Sequence, residues 1–305
     1  MPSESPHSMN TPSTNCPACG SQHLAKPIPC RDHFVTQELF HLSECLDCGF
    51  RFTVDAPDAE HIGRYYKSDA YISHSDTKKG LVNRAYHLVR TYMLGNKRRL
   101  IAGYAKGMKL LDIGCGTGYF LHHMSQHGYQ VSGIEVDKDA RAYAATQFGL
   151  QVDGNEVIYQ ESRTGTYDII TLWHVLEHLH DAPTYLKWIE QALKPDGLLV
   201  IAVPNHASLD AAIYGTDWAA YDTPRHLWHF KPGVLDAYIK PFGLTVVEYK
   251  GMPFDAWYNS LMSAQYSNQS FPLLHGFVTG LRSNLNSLGF PERSSSVIYV
   301  IKKVD

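Results

Sequence analysis

The stretch from Tyr221 to Phe230, YDTPRHLWHF, gathers an aspartate, an arginine and two histidines around a proline. Histidine exchanges a proton near neutral pH, and arginine offers a planar fork of donors to an acidic group. Read for chemistry, the stretch is one side of a pocket. His226 and then His229 are the candidate bases, Arg225 is a holder of an acidic substrate group, and Trp218, Tyr221 and Trp228 are flat walls. The plainer reading is that Asp222, Arg225 and one histidine staple a loop, because buried polar groups find partners inside a protein. What the stretch acts on depends on residues upstream.

The first upstream set is LLDIGCGTGYF, starting at Leu110. An apolar run ends in Asp112, and Gly114, Gly116 and Gly118 follow at every second position. Glycines let a chain turn sharply from strand to helix and bring its backbone close to a ligand. A dinucleotide loop needs its third glycine where Tyr119 stands, and a P-loop needs a Lys-Ser/Thr that is missing. Asp112 opposes a pyrophosphate and suits a cationic ligand. Roughly 20 residues on, VSGIEVD ends a second apolar run in Glu135, where a carboxylate can accept from both hydroxyls of a ribose. Asp137 competes for that role, and acids here can also simply cap helices. Cys115 reads as a small packing residue.

The second set is Cys16-x-x-Cys19 with Cys45-x-x-Cys48, each pair followed by glycine. Four thiolates make a closed tetrahedral zinc site of structural type. The glycines permit the tight turns that aim backbone N–H groups at sulfur. The N-terminal MPSESPHSMNTPST has neither a basic nor an apolar secretory region, so a metal is expected over disulfides, in a cytoplasmic protein. Cys30 and His33 lie inside the loop as substitutes. A rival metal reading comes from His174-Val-Leu-Glu177-His178, the H-x-x-E-H of inverted zinc proteases. Its place directly after a core strand argues against it. Glu177 and His178 read as structural, and Trp173 and His174, nearest the strand end, as candidate contacts of a bound ligand.

Around these sets, apolar runs (KLLDIG, YQVSGIEV, YDIITLW, GLLVIAVP) alternate with helix-like segments, the pattern of a parallel sheet covered on both faces. LTVVEY and SVIYVIKK are later strands. The spacing predicts a disordered tail over 1–15, a ribbon over 16–55, a helical lid or linker over 56–104, and a large domain over 105–305 with an irregular insertion at about 252–294. The net charge of −3 gives no basic field for nucleic acid. In the ribbon, Lys26, Arg31 and Arg51 face Asp32, Glu38, Glu44 and Asp47. Lys97-Arg98-Arg99 is the one dense basic patch and reads as a solvated helix face. No apolar run approaches the ~20 residues of a membrane span.

In these motifs the chain resembles the class I S-adenosylmethionine-dependent methyltransferases, whose first motif is a strand ending hhDhGxGxG. TYDIITLWHVLEHL and LKPDGLLVIAVPN are similar to the family's fourth and fifth strands with their loops. The resemblance implies an α/β fold, a Rossmann-like seven-stranded sheet with the final strand antiparallel. It implies that the glycines wrap the methionyl part of the cofactor, that Asp112 lies near its ammonium group, and that Asp153 or Glu156 adjoins adenine. His226-Leu-Trp-His229-Phe230-Lys231-Pro232 resembles a stretch of ubiquinone-type and sugar methyltransferases, and the ribbon resembles one that precedes some bacterial small-metabolite methyltransferases. A small-molecule acceptor is therefore expected, with S-adenosylmethionine and structural zinc as cofactors. Two other readings stand beside it: a methyltransferase acting on RNA or protein through the ribbon, and a non-catalytic binder of the cofactor. The Asn-Pro-Pro-aromatic motif of amino-group methylation on bases is missing.

Overall fold

The computed structural model describes residues 14–66 and 81–304. Nearly all of the expected tail and residues 67–80 of the expected lid lie outside the described residues. The ribbon contributes three strands, β1 (Ile28–Arg31), β2 (Leu39–Glu44) and β3 (Arg51–Thr53). A short 3-10 turn, Ile62–Tyr66, precedes helix α1 (Leu81–Tyr104). The main domain then alternates: β4 (Lys109–Ile113), α2 (Tyr119–Ser125), β5 (Gln130–Ile134), α3 (Lys138–Phe148), β6 (Val152–Asp153), α4 (Val157–Gln160), β7 (Tyr167–Trp173), α5 (Ala182–Ala192) and β8 (Leu193–Pro204). It continues through α6 (Leu209–Tyr214), β9 (Trp228–His229), α7 (Val234–Ile239), β10 (Leu244–Gly251), α8 (Pro253–Tyr266), α9 (Pro272–Asn286) and β11 (Ser296–Lys303).

The large sheet has seven strands in the order β10-β11-β8-β7-β4-β5-β6. β8, β7, β4, β5 and β6 run parallel, and β11 lies antiparallel to both its neighbours. The central strands are apolar throughout because helices cover both faces: Leu198 to Val203 are wholly buried. The covering helices carry their own start and stop chemistry. Asp137 caps α3 by accepting from Ala140 N–H at 2.8 Å, and Gly149 ends it at φ 63°. Asp181 caps α5, which buries Tyr185, Leu186, Ile189 and Ala192 at helical spacing.

Two features depart from the sequence reading. The insertion at 252–294 is a helical hairpin, α8 against α9, followed by a short 3-10 turn. Gly276 permits the close approach: a Cβ there would stand 2.7 Å from Leu261 Cα. Its small and polar residues mislead because they are the packed ones, including Ser260, Ser263, Thr279 and Ser283. The second feature is a small sheet, β1-β2-β3-β9, in which the ribbon takes its fourth strand from the far-downstream Trp228–His229.

Candidate active site

The glycine loop runs from the end of β4 to the start of α2, with Gly114, Gly116 and Gly118 all at positive φ. They do different jobs. A Cβ on Gly114 would lie 2.4 Å from Val175, and one on Gly118 would lie 2.7 Å from Leu150, so both are packed closely against the protein. Gly116 faces open space. Its N–H donates to Glu135 Oε2 at 2.8 Å, while the other Glu135 oxygen accepts from Asp137 N–H at 2.9 Å. The Asp137 side chain is committed to its helix, which leaves Glu135 as the carboxylate beside the loop. A space bounded by a bare backbone and a carboxylate fits a ribose-bearing ligand. Cys115 is buried, and a Cβ on Gly133 would meet its sulfur at 2.6 Å, consistent with packing.

Asp112 is buried in β4 opposite Thr171 of β7, whose hydroxyl donates to it at 2.5 Å. Burial pushes its carboxyl up to about 7, against the pull of Thr171 and of Lys97. Lys97 departs from the expected solvated face. It turns inward from α1, lies 4.0 Å over the Trp173 ring and interacts with Asp112 and Asp255, and burial brings it down to about 8. The run of three basic residues hid this role, because it reads as one solvated patch although only Arg99 of the three is exposed.

The chain leaves β7 through Trp173 and turns at His174, which has φ 57°. Nδ1 of His174 lies 3.3 Å from Glu177, and Nε2 lies 3.1 Å from Asp255. Burial works to lower the imidazole, but these two carboxylates lift it to about 10. Asp255 comes from the hairpin, where the sequence carried no recognisable motif. Residues 176–178 form a 3-10 turn, so His174 and His178 do not share the helix face that a zinc-protease reading requires.

The Tyr221–Phe230 residues are mostly occupied. Arg225 is buried and donates to Asp222, to the Tyr65 carbonyl and to Asp32. Each nitrogen of its guanidinium thus has a protein partner, and these bonds join the ribbon to the core. Trp218 is buried with Nε1 donating to Asp210, and Tyr221 accepts from Arg51. His229 meets the Thr53 hydroxyl at 3.1 Å, and burial, with His226 and His206 nearby, keeps it well below the ordinary imidazole range. His226 is different: its ring stands edge-on to His178, 4.5 Å between centroids. Val175, three residues before His178, covers Gly114, so His226 belongs to the same end of the sheet as the glycine loop.

In the ribbon, Cys16, Cys19, Cys45 and Cys48 bring their sulfurs within 4.8 Å of one another, with Cys16–Cys48 and Cys19–Cys45 each at 3.6 Å. All six cysteines are free thiols. Gly20 and Gly49 take φ 75° and 73°, closing the two knuckles. Burial works to raise the Cys45 thiol, but the N–H groups of Cys48 and Asp47 bring it down to about 7. Four sulfurs so arranged fit a tetrahedral ion.

The methyltransferase domain profile matches residues 86–249, over half of the chain. The chain belongs to that family and is an S-adenosylmethionine-dependent methyltransferase. A relative, the ubiquinone biosynthesis O-methyltransferase of Xanthomonas axonopodis pv. citri (strain 306), is 30% identical over 166 residues, 50% of this chain and 69% of that protein. That of Rhodopseudomonas palustris (strain BisB5) is 30% identical over 159 residues, 49% of this chain and 63% of its own length. Among solved structures, the 1,6-didemethyltoxoflavin-N1-methyltransferase of Burkholderia thailandensis shares the fold with a TM-score of 0.50 and 18% identity, covering 85% of this chain and 98% of that one. Among the described residues, no helix is long and apolar enough to cross a membrane.

Proposed function

We propose that the enzyme moves the methyl group of S-adenosylmethionine to a small-molecule acceptor by in-line displacement. The observation that carries this reading is the Glu135 carboxylate held at the N–H of Gly116, the glycine of the loop that faces open space. Glu135 is assigned to the ribose, Asp112, Gly114, Gly116 and Gly118 to the methionyl part, and Trp173 and His174 to the adjoining wall. The bound cofactor supplies a methyl group on a positively charged sulfur. Because that sulfur leaves readily, most of the rate comes from holding the acceptor in line.

At the acceptor end we assign His226 as the polar contact. His229 is the weaker candidate, being tied to Thr53 inside the ribbon junction. Arg225, Tyr221 and Trp218 hold this loop in place. An oxygen nucleophile is favoured by relatives named O-methyltransferases. The four ribbon cysteines hold a structural zinc ion, and the free thiols fit a cytoplasmic setting.

Calorimetry with S-adenosylhomocysteine and NAD tests the cofactor assignment. Tight binding of the first and none of the second is expected, and the reverse removes the reading. Incubation of cell extract with isotope-labelled methyl donor, followed by mass spectrometry, then identifies the acceptor.

A further inference from the structure

Where the Leu176–His178 turn meets the Tyr221–Phe230 loop, three hydrogen-bond acceptors converge. Glu177 is fully buried, and neither of its carboxylate oxygens has a hydrogen-bond partner. The imidazole of His174, 3.3 Å from one oxygen, is shared with Asp255. His178 Nδ1 faces the Arg225 carbonyl at 3.0 Å, and His226 Nδ1 faces the Ala220 carbonyl at 2.9 Å. A carbonyl oxygen can only accept, so each Nδ1 donates to its carbonyl, with the Tyr66 hydroxyl 3.1 Å from His178 Nδ1 as a second neighbour, and Nε2 is the ring atom left for a further partner.

One ligand atom from each of Glu177, His178 and His226 lies within 4.8 Å of the other two. His174 approaches only one Glu177 oxygen and is shared with Asp255, while a carboxylate oxygen and two ring nitrogens gathered in a buried setting are a donor set that a metal cation joins. The outer hydrogen bonds are those that orient histidine ligands, with the far N–H given to a backbone carbonyl. Asp222, 3.9 Å from His226 Nε2, is already held by Arg225.

We propose that Glu177, His178 and His226 bind a first-row divalent metal ion through one carboxylate oxygen and the two Nε2 atoms. Two nitrogens and an oxygen differ from the all-sulfur ribbon set, and they accept manganese or zinc alike. Three protein ligands leave open positions on the ion. Val175 of the same segment covers Gly114, so those positions lie at the glycine-loop end of the sheet. The ligand set is not the His174 and His178 of H-x-x-E-H, because the 3-10 turn parts those two and the distant His226 takes the second place. The proposal rests on the methyl-transfer reading only in setting the ion beside a methyl acceptor.

The test is a titration of full-length protein, its ribbon ion kept and loosely bound ions removed, with Mn²⁺ followed by electron paramagnetic resonance and with Zn²⁺ by elemental analysis. The wild type is expected to bind one ion beyond the ribbon's. Glu177→Gln and His178→Gln should each weaken that binding at least about tenfold, with ribbon zinc unchanged. A wild type that takes up neither ion beyond the ribbon site overturns the proposal, whatever becomes of the variants. So do folded variants that bind as the wild type does. S-adenosylhomocysteine binding on the same samples separates the two readings. If it persists while no second ion binds, the metal assignment alone fails; if it is absent, the methyl-transfer reading fails.

Discussion

Arg225 Nη2 stands 3.2 Å from Asp32 Oδ1, and the two side chains are shut away from solvent between ribbon and core. Asp32 also accepts from the N–H groups of Phe34, Val35 and Thr36, so it organises a ribbon turn as well as the pair. Removing one partner of a buried pair strands the other. Asp32→Ala is therefore expected to lower unfolding free energy by about 3–5 kcal/mol in denaturant titrations. A change below about 1 kcal/mol would show that the pair bears no load and would return Arg225 to the substrate.

Glu135 and Asp137 should separate by assay. Glu135→Ala is expected to weaken S-adenosylhomocysteine binding at least about tenfold, from the loss of hydrogen bonds to a charged acceptor. Asp137→Ala should cost about 1 kcal/mol of stability through the lost helix cap, with cofactor affinity intact. Calorimetry and denaturant melts on both variants check this, and exchanged phenotypes would reverse the assignment.

Asp112 gives a pH dependence of unusual sign. Its folded-state value is raised, from 3.8 to about 7, chiefly by burial. A raised acid contributes its stability while protonated, in full below its unfolded value, and loses it as pH climbs towards the folded one. Asparagine does not titrate. Between pH 4 and 7 the ligand-free Asp112→Asn protein should therefore lose less stability than the wild type, while binding S-adenosylhomocysteine more weakly. Denaturant melts at pH 4.5 and 7 measure it, and an equal loss in the two proteins would show that Asp112 is ionised throughout this range.

The two histidines of the opening stretch should part as well. His226→Ala is expected to lower turnover of the identified acceptor at least about 100-fold with cofactor affinity retained. His229→Ala should lower the melting temperature and leave turnover of the folded enzyme within about tenfold, since it packs inside the junction with Thr53. A loss of tenfold or less in both would remove His226 from the reaction.

The glycine loop, the cysteine pairs and six of the seven large-sheet strands were legible because each depends on local rules. Period and apolar run define β4, β5, β7, β8, β10 and β11, and glycine spacing defines the turn. β6 escaped notice because it has only two residues. The hairpin escaped because its buried face is built of serine, threonine and glycine, which read as loop. Lys97, Asp255 and Asp32 were invisible for a different reason: each acquires meaning only from a partner far away in sequence. Arg225 was noticed for its type, but its partners decide its work.

The ribbon borrows its last strand. Arg51 and Phe52 pair with His229 and Trp228, Thr53 N–H reaches the Leu227 carbonyl at 2.9 Å, and its hydroxyl reaches the His226 carbonyl at 2.7 Å. A module laced in this way cannot be trimmed off or swapped between enzymes as a separate cassette. Oxidation or chelation at four sulfurs near the amino terminus would be transmitted along main-chain bonds to the histidine that stands nearly two hundred residues later in the chain.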